Sequence, residues 1–229
     1  MPTPEQVPTT APSPDGAPRL ILASASPARA RILEAAGIGF TVTVSDVDED
    51  AVAARHPEAT PEQTALLLAQ AKARDVAARS ESSGALVVGC DSVFELDGVP
   101  YGKPWEPEVA VERWMLQRGR TGVLHTGHWV VDTRGDSGDG QDAQAGGISS
   151  ATVTFAPVEE SQILAYVATG EPLQCAGAFT IDGRGAAFVE SVEGDPNAVI
   201  GLSVSTLRTA MAELGVNLTA FWGLSESYK

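Results

Sequence analysis

Apolar positions along this chain switch repeatedly between a period of two and a period near 3.6. Residues 19–23 (RLILA) form a short unbroken apolar run that stops at serines, as a strand covered on both faces would. Residues 27–36 then carry Ile32, Leu33 and Ala36 at helical spacing, closed by Gly37. Residues 40–44 (FTVTV) alternate and are β-branched, which predicts a strand. The clearest helix spans residues 61–79, with Ala65, Leu68, Ala69, Lys72 and Val76 on one face. Residues 85–89 (ALVVG) read as a buried strand, and residues 93–96 and 99–101 as a hairpin around Asp97-Gly98, which suits a type I′ turn. Helices are predicted over residues 107–117, 159–169 and 203–214, the last ending at Gly215, and strands over 128–132, 150–155 and 186–192. Strands alternating with helices indicate an α/β fold with a mixed central sheet.

Two stretches break the pattern. Six of the 15 prolines fall within the first 18 residues, so residues 1–18 read as a disordered tail and the fold is expected to start at Arg19. Residues 133–147 (TRGDSGDGQDAQAGG) hold five glycines and three aspartates and read as an exposed acidic loop insertion. The domain is expected to run from 19 to 215, with 216–229 as a C-terminal extension. Thirty acids against 15 Lys+Arg give a formal net charge of −15, which argues against nucleic-acid and anionic-membrane partners. A small anionic substrate stays open if the few cations gather at one site. There is no apolar run of transmembrane length and no basic, apolar leader, so a cytoplasmic protein is expected. Cys90 and Cys175 are too few for a disulfide framework.

Five places carry potential chemistry. In Ser24-Ala25-Ser26-Pro27-Ala28-Arg29 an apolar strand runs into two serines, a proline suited to N1 and an arginine in the first helical turn. Free N–H groups, hydroxyls and Arg29 at a helix N-terminus suit a phosphate, although an ordinary capped helix would read the same way. Residues 44–50 (VSDVDED) place four acids within five positions, either a solvated loop or oxygen ligands for a hard cation such as Mg²⁺. Lys72 lies on the apolar stripe of its helix, where it either snorkels outward or reaches into a polar site. Asp91 follows a buried strand, a position that suits a base, a metal ligand or an Asx-turn. Lys103, ahead of Pro104, projects from a stiff loop. Three cations (Arg29, Lys72, Lys103) with two acids (Glu49, Asp91) suit metal-assisted attack on a phosphate anhydride. His56, His125 and His128 have no metal-ligand spacing, and on a strand the last two face opposite sides.

In this order the segments resemble the Maf family of nucleotide pyrophosphatases. The family's S-x-S-P-R-R stands as Ser24 through Arg29, V-S-x-x-x-E as Val44 through Glu49, and L-A-x-x-K-A as Leu68 through Ala73. G-A-D-[TS] stands as Gly89-Cys90-Asp91-Ser92, G-K-P as Gly102-Lys103-Pro104, G-R-T as Gly119-Arg120-Thr121 and T-V-T-F as Thr152 through Phe155. Y-V-A-T-G-E-P-L stands as Tyr166 through Leu173, followed by Ala176 through Phe179 and Glu193-Gly194-Asp195. The resemblance runs from about Arg19 to Gly215.

It implies an elongated mixed α/β sheet with a cleft between two lobes, commonly in a homodimer. It also implies hydrolysis of a nucleoside triphosphate between its α and β phosphates, giving a monophosphate and pyrophosphate with Mg²⁺ or Mn²⁺. Asp91 matches the catalytic acid and metal ligand, and Glu49 a second metal ligand. Ser24, Ser26, Arg29, Lys72 and Lys103 match residues around the triphosphate, and Phe179 and Asp182 fall in the base-selecting segment. Three departures stand out: Ala28 replaces the first arginine of a pair, Gly122 a histidine, and Asp182 the glutamine of dTTP- and UTP-using members. A carboxylate only accepts hydrogen bonds, which favours a base that presents donors, such as the guanine N1/N2 edge or the cytosine amine. The alternatives are a pyrophosphatase specific for 7-methyl-GTP and a nucleotide-binding regulator of cell division without turnover.

Overall fold

The computed structural model of the chain describes residues 18–135 and 142–223. Its strands are β1 (Arg19–Ala23), β2 (Thr41–Val42), β3 (Ala85–Leu96), β4 (Val99–Tyr101), β5 (Thr121–Asp132), β6 (Ala143–Phe155) and β7 (Val189–Glu193). They form one seven-stranded sheet in the order β2-β1-β3-β5-β6-β7, with β4 also paired to β3. The pairs β1–β2 and β1–β3 are parallel and the others antiparallel, so the sheet is mixed as expected. The helices are α1 (Pro27–Ala35), α2 (Glu49–Ala54), α3 (Pro61–Ala77), α4 (Pro107–Gln117), α5 (Glu160–Val167), α6 (Pro196–Ile200) and α7 (Val204–Glu213).

The long strands bury both faces, with different helices at their two ends. Leu86, Val88 and Cys90 pack with Leu33 of α1 and Leu207 and Met211 of α7. Ala85 and Val87 point the other way, onto Ala73 and Val76 of α3. At the far end Phe94 and Leu96 join Trp114 of α4, Ile163 and Tyr166 of α5, Phe155 and Phe179. The rings there meet edge-on, with Phe155 and Phe179 at 5.0 Å and Trp114 and Phe155 at 5.4 Å between centroids. Each such side chain contributes roughly 1.5–3 kcal/mol by leaving water.

Several elements differ from the sequence pattern. The runs 85–89 and 93–96 are one strand, because β5 pairs with β3 continuously from Leu86 to Glu95 and carries it through the polar Asp91 and Ser92. Only Thr41–Val42 of the run 40–44 pairs, since β1 offers it two partners. Residues 143–147, placed in the acidic loop, belong to β6; Gly146 lies so close to the Trp129 ring that an added Cβ would sit 2.3 Å from it. Residues 184–188 form a 3-10 turn, and the strand expected from 186 begins at Val189. The fold also continues past Gly215: Val216, Leu218 and Phe221 are buried in the α1–α7 core, and Trp222 pairs with Ile38. The tail expected over residues 1–18 lies outside the described residues apart from Pro18.

Candidate active site

The site grows out of a gap in the sheet. Along one edge of β3, the partner β1 ends at the pair Ala23–Gly89, and β4 takes over only at Phe94–Tyr101. Among the described residues, 90–93 therefore have no strand neighbour on that edge, and Asp91 and Ser92 lie there. Asp91 is thus in mid-strand rather than after a strand end, and the opening comes from its neighbour's ending. At the same place β1 delivers Ser24 and α1.

Helix α3 brings Lys72 to Asp91 because two glycines let it lie hard against the sheet. A Cβ on Gly89 would sit 2.3 Å from the Ala69 carbonyl oxygen, and one on Gly127 2.4 Å from that of Ala65. One turn along from Ala69, buried Lys72 donates to Asp91 Oδ1 at 2.5 Å and to Glu49 Oε1 at 2.6 Å. Glu49 comes from the acidic run, which folds into α2 because Asp48 caps it by accepting from the Ala51 N–H. Burial pulls the Asp91 carboxyl above its ordinary range, against the opposing charges of Lys72 and Arg29. Burial would also raise Glu49, but the hydrogen bond and charge of Lys72, with the charges of Lys103 and Arg29, hold it below.

Arg29 is buried and held at three points. Its Nε donates to the Gly201 carbonyl at 2.8 Å, one terminal nitrogen to Ser24 Oγ at 3.0 Å and the other to Ser92 Oγ at 3.3 Å. Gly201 has φ +131, a conformation open to glycine, and it leaves room for the guanidinium. Thr126 spends its only hydroxyl proton on the Ala198 carbonyl at 2.7 Å, so Ser92 donates to Thr126 at 2.8 Å and accepts from Arg29. Ser24 Oγ also accepts from the Ser26 N–H at 3.2 Å, which leaves the Ser24 proton to donate elsewhere. His128, opposite Cys90 on β5, accepts from the Ser203 N–H at the start of α7; burial and the Arg29 charge lower it to about 4, so it is neutral. The Cys90 thiol is pushed up to about 11 by burial and stays protonated.

The remaining sequence candidates divide. Ser26 is the residue before α1, as expected, but its side chain makes no capping bond and its hydroxyl is partly exposed. Lys103 is exposed on the loop after β4, its Nζ 5.1 Å from the Trp105 ring centroid, and its charge bears on Glu49 and Cys175. Asp182 lines a groove of about 420 Å³ with Ala28, Arg31 and Asn197, and pairs with Arg31 at 3.6 Å. Phe179 corrects the sequence reading: it is 4% exposed, locked edge-on between Phe94 and Phe155, and offers no face to a nucleobase. The vacancy at Gly122 is filled from within, since a Cβ there would meet the Phe94 ring at 2.3 Å. Sequence reasoning quoted Ser92 in the Gly89–Ser92 motif without giving it a role, and missed Thr126 and Gly201, whose only signal was a small polar residue or glycine inside an apolar run.

Among the described residues no group of three or more His, Cys, Asp or Glu side chains is placed to hold a metal. Glu49 and Asp91 nevertheless stand on either side of the Lys72 ammonium, each meeting it through one oxygen. Two carboxylates fit magnesium, which completes its shell with substrate phosphates and water. Among the described residues no helix is long and apolar enough to cross a membrane.

The sequence model of the Maf-like proteins matches residues 19–214. A protein of Streptomyces coelicolor, named nucleoside triphosphate pyrophosphatase, is 50% identical over 208 residues, covering 91% of this chain and 96% of its own. Relatives of the same name from Streptomyces avermitilis (48% identity, 89% of this chain, 94% of the relative) and Nocardia farcinica (50%, 89% and 96%) align as fully. With a family match across almost the whole fold and relatives near half identity, the chain belongs to the Maf family.

Proposed function

We propose that this chain is a nucleoside triphosphate pyrophosphatase, hydrolysing the α–β phosphoanhydride to release a monophosphate and pyrophosphate. The observation that carries the reading is the Lys72 ammonium held between Asp91 and Glu49 at the open edge of β3, with Arg29 fixed beside it. Its relatives' names supply the reaction class.

Phosphoryl transfer depends on placing the reactants and neutralising charge, and these side chains are arranged for both. Arg29, Lys72 and Lys103 neutralise the triphosphate, while the free proton of Ser24 and the N–H groups at the start of α1 bind phosphate oxygens, with the Ser26 hydroxyl beside them. Asp91 accepts the proton of the attacking water. As the water oxygen bonds to phosphorus, the bridging P–O bond breaks and pyrophosphate leaves. Asp91 and Glu49 would hold Mg²⁺ or Mn²⁺, which when bound screens the phosphate charges and stabilises the leaving group. Asp182, facing the groove beside α1, is read as the group that meets the base. The same reading makes the protein a cytoplasmic homodimer acting on surplus or non-standard nucleotides.

The test is a panel of GTP, CTP, UTP, dTTP, ATP and 7-methyl-GTP with Mg²⁺, with all phosphorus products resolved. Monophosphate plus pyrophosphate is expected, fastest with a base that presents donors to Asp182. Diphosphate plus inorganic phosphate would contradict the proposed bond. Strict preference for dTTP and UTP would contradict the role of Asp182. Binding without turnover would favour the regulator reading, for which Ala28 in place of an arginine is the one supporting observation.

A further inference from the structure

Glu171 opens the 3-10 turn Glu171–Gln174 and spends both carboxylate oxygens on one short stretch of chain. Its Oε1 accepts from Thr180 Oγ1 at 2.6 Å and from the Gly185 N–H at 3.0 Å, and its Oε2 from the Arg184 N–H at 3.1 Å. The Arg184 guanidinium stands 3.5 Å from the same Oε2, and the Tyr166 hydroxyl lies 3.4 Å from Thr180 Oγ1. Between these bonds the chain passes so close that a Cβ on Gly183 would sit 2.7 Å from Oε1. Residues 180–185 are thus wrapped around a single carboxylate.

Asp182 lies at the centre of that stretch and makes none of these bonds to Glu171. It lines the groove with Ala28 and Arg31, on the helix that carries Arg29. Its charge bears on Cys175, as that of Lys103 does. The anchored backbone and the groove-lining carboxylate therefore belong to one short loop.

We propose that Glu171 is a positioning residue for substrate selection, fixing the backbone of residues 180–185 so that Asp182 meets the nucleobase at one distance and angle. This rests on the reading of Asp182 as the base-facing group. A site discriminates strongly when a buried polar group is held to one hydrogen-bonding geometry, and it discriminates weakly once that group can drift to suit any partner. Loosening the loop should therefore level the enzyme's preferences and leave the chemistry at Asp91 intact.

The experiment measures kcat and KM for GTP, CTP, UTP, dTTP and 7-methyl-GTP in the full-length wild type, Glu171→Gln, Thr180→Val and Asp182→Ala. In Glu171→Gln the ratio of kcat/KM between the best and worst substrates should fall about tenfold, through a higher KM for the best, with kcat held within about threefold. Thr180→Val, which removes one bond, should fall between wild type and Glu171→Gln, and it carries the test if Glu171→Gln is unstable. Asp182→Ala should lose the same selectivity. An unchanged ratio in both loop variants with a levelled Asp182→Ala overturns the role of Glu171 and leaves Asp182 standing. A uniform drop of kcat on every substrate in the loop variants overturns it as well, by showing mere structural damage. If Asp182→Ala keeps the wild-type ratio, or the wild type does not discriminate at all, the base reading itself fails.

Discussion

Lys72 stands on the apolar stripe of α3 with Leu68 and Val76, all three buried. A buried lysine without counter-charges would be costly, and here two carboxylates reach it within 2.6 Å. Lys72 was conspicuous in the sequence for this reason: a cation on an apolar face needs partners, although the sequence alone left snorkelling open. Glu171 gave no such sign, because its partners are backbone N–H groups and a hydroxyl that no spacing rule announces. Burial would raise its carboxyl, but the Thr180 hydroxyl and the Gly185 and Arg184 N–H groups outweigh burial and hold it at about 2, below the ordinary 4.5. Because the folded value is depressed, this contribution is complete at neutral pH and is lost as pH falls from about 4.5 through about 2. Glu171→Gln is expected to cost about 1–2 kcal/mol at pH 7, with the gap to wild type narrower at pH 3, where part of the contribution is already lost, and closing only below about pH 2. Urea titrations at both pH values measure it, and an equal gap at the two would refute the assignment.

At the scale of elements, periodicity located α3, α4 and α7 to within two residues at either end, since each buries a regular stripe. Strand lengths were harder. The strands β3, β5 and β6 run through Asp91, the Thr126-Gly127-His128 stretch and Gly146-Gly147, positions whose polarity or lack of side chain reads locally as a break. Sheet pairing outweighs local preference there, and the strand positions that look weakest are the ones the site and α3 use. Gly89 shows the link most directly. Its missing Cβ lets α3 approach, and that approach sets the Lys72–Asp91 contact. Gly89→Ala is expected to lower kcat at least tenfold and to destabilise the fold by about 1–3 kcal/mol, since the backbone of α3 must shift. Thermal melts and steady-state kinetics together check this; a variant with both properties unchanged would show that the close approach is incidental.

For the whole molecule, the contrast is between a net charge of −15 and a site that gathers cations. Arg29 and Lys72 are buried beside Asp91, with Lys103 at the rim, while most of the acids face solvent. Such a distribution suits a small polyanion that fits one cleft and disfavours an extended one lying across the surface. Family membership was legible from the motifs, and so were Ser24, Arg29, Glu49, Lys72 and Asp91 as one group. The placement of Phe179 was not, because an aromatic after a glycine reads equally well as a stacking platform or as core, and only the ring packing with Phe94 and Phe155 decides it. The proposed reaction turns on Asp91 as the acceptor of the water proton. The most direct measurement is Asp91→Asn, comparing its turnover with its affinity for a triphosphate whose α–β bridge is a non-hydrolysable methylene. The expected result is that kcat falls by about 1,000-fold while the dissociation constant of the analogue, measured without added metal, moves no more than a few-fold. Retention of a tenth or more of wild-type turnover would contradict the role of Asp91 as proton acceptor.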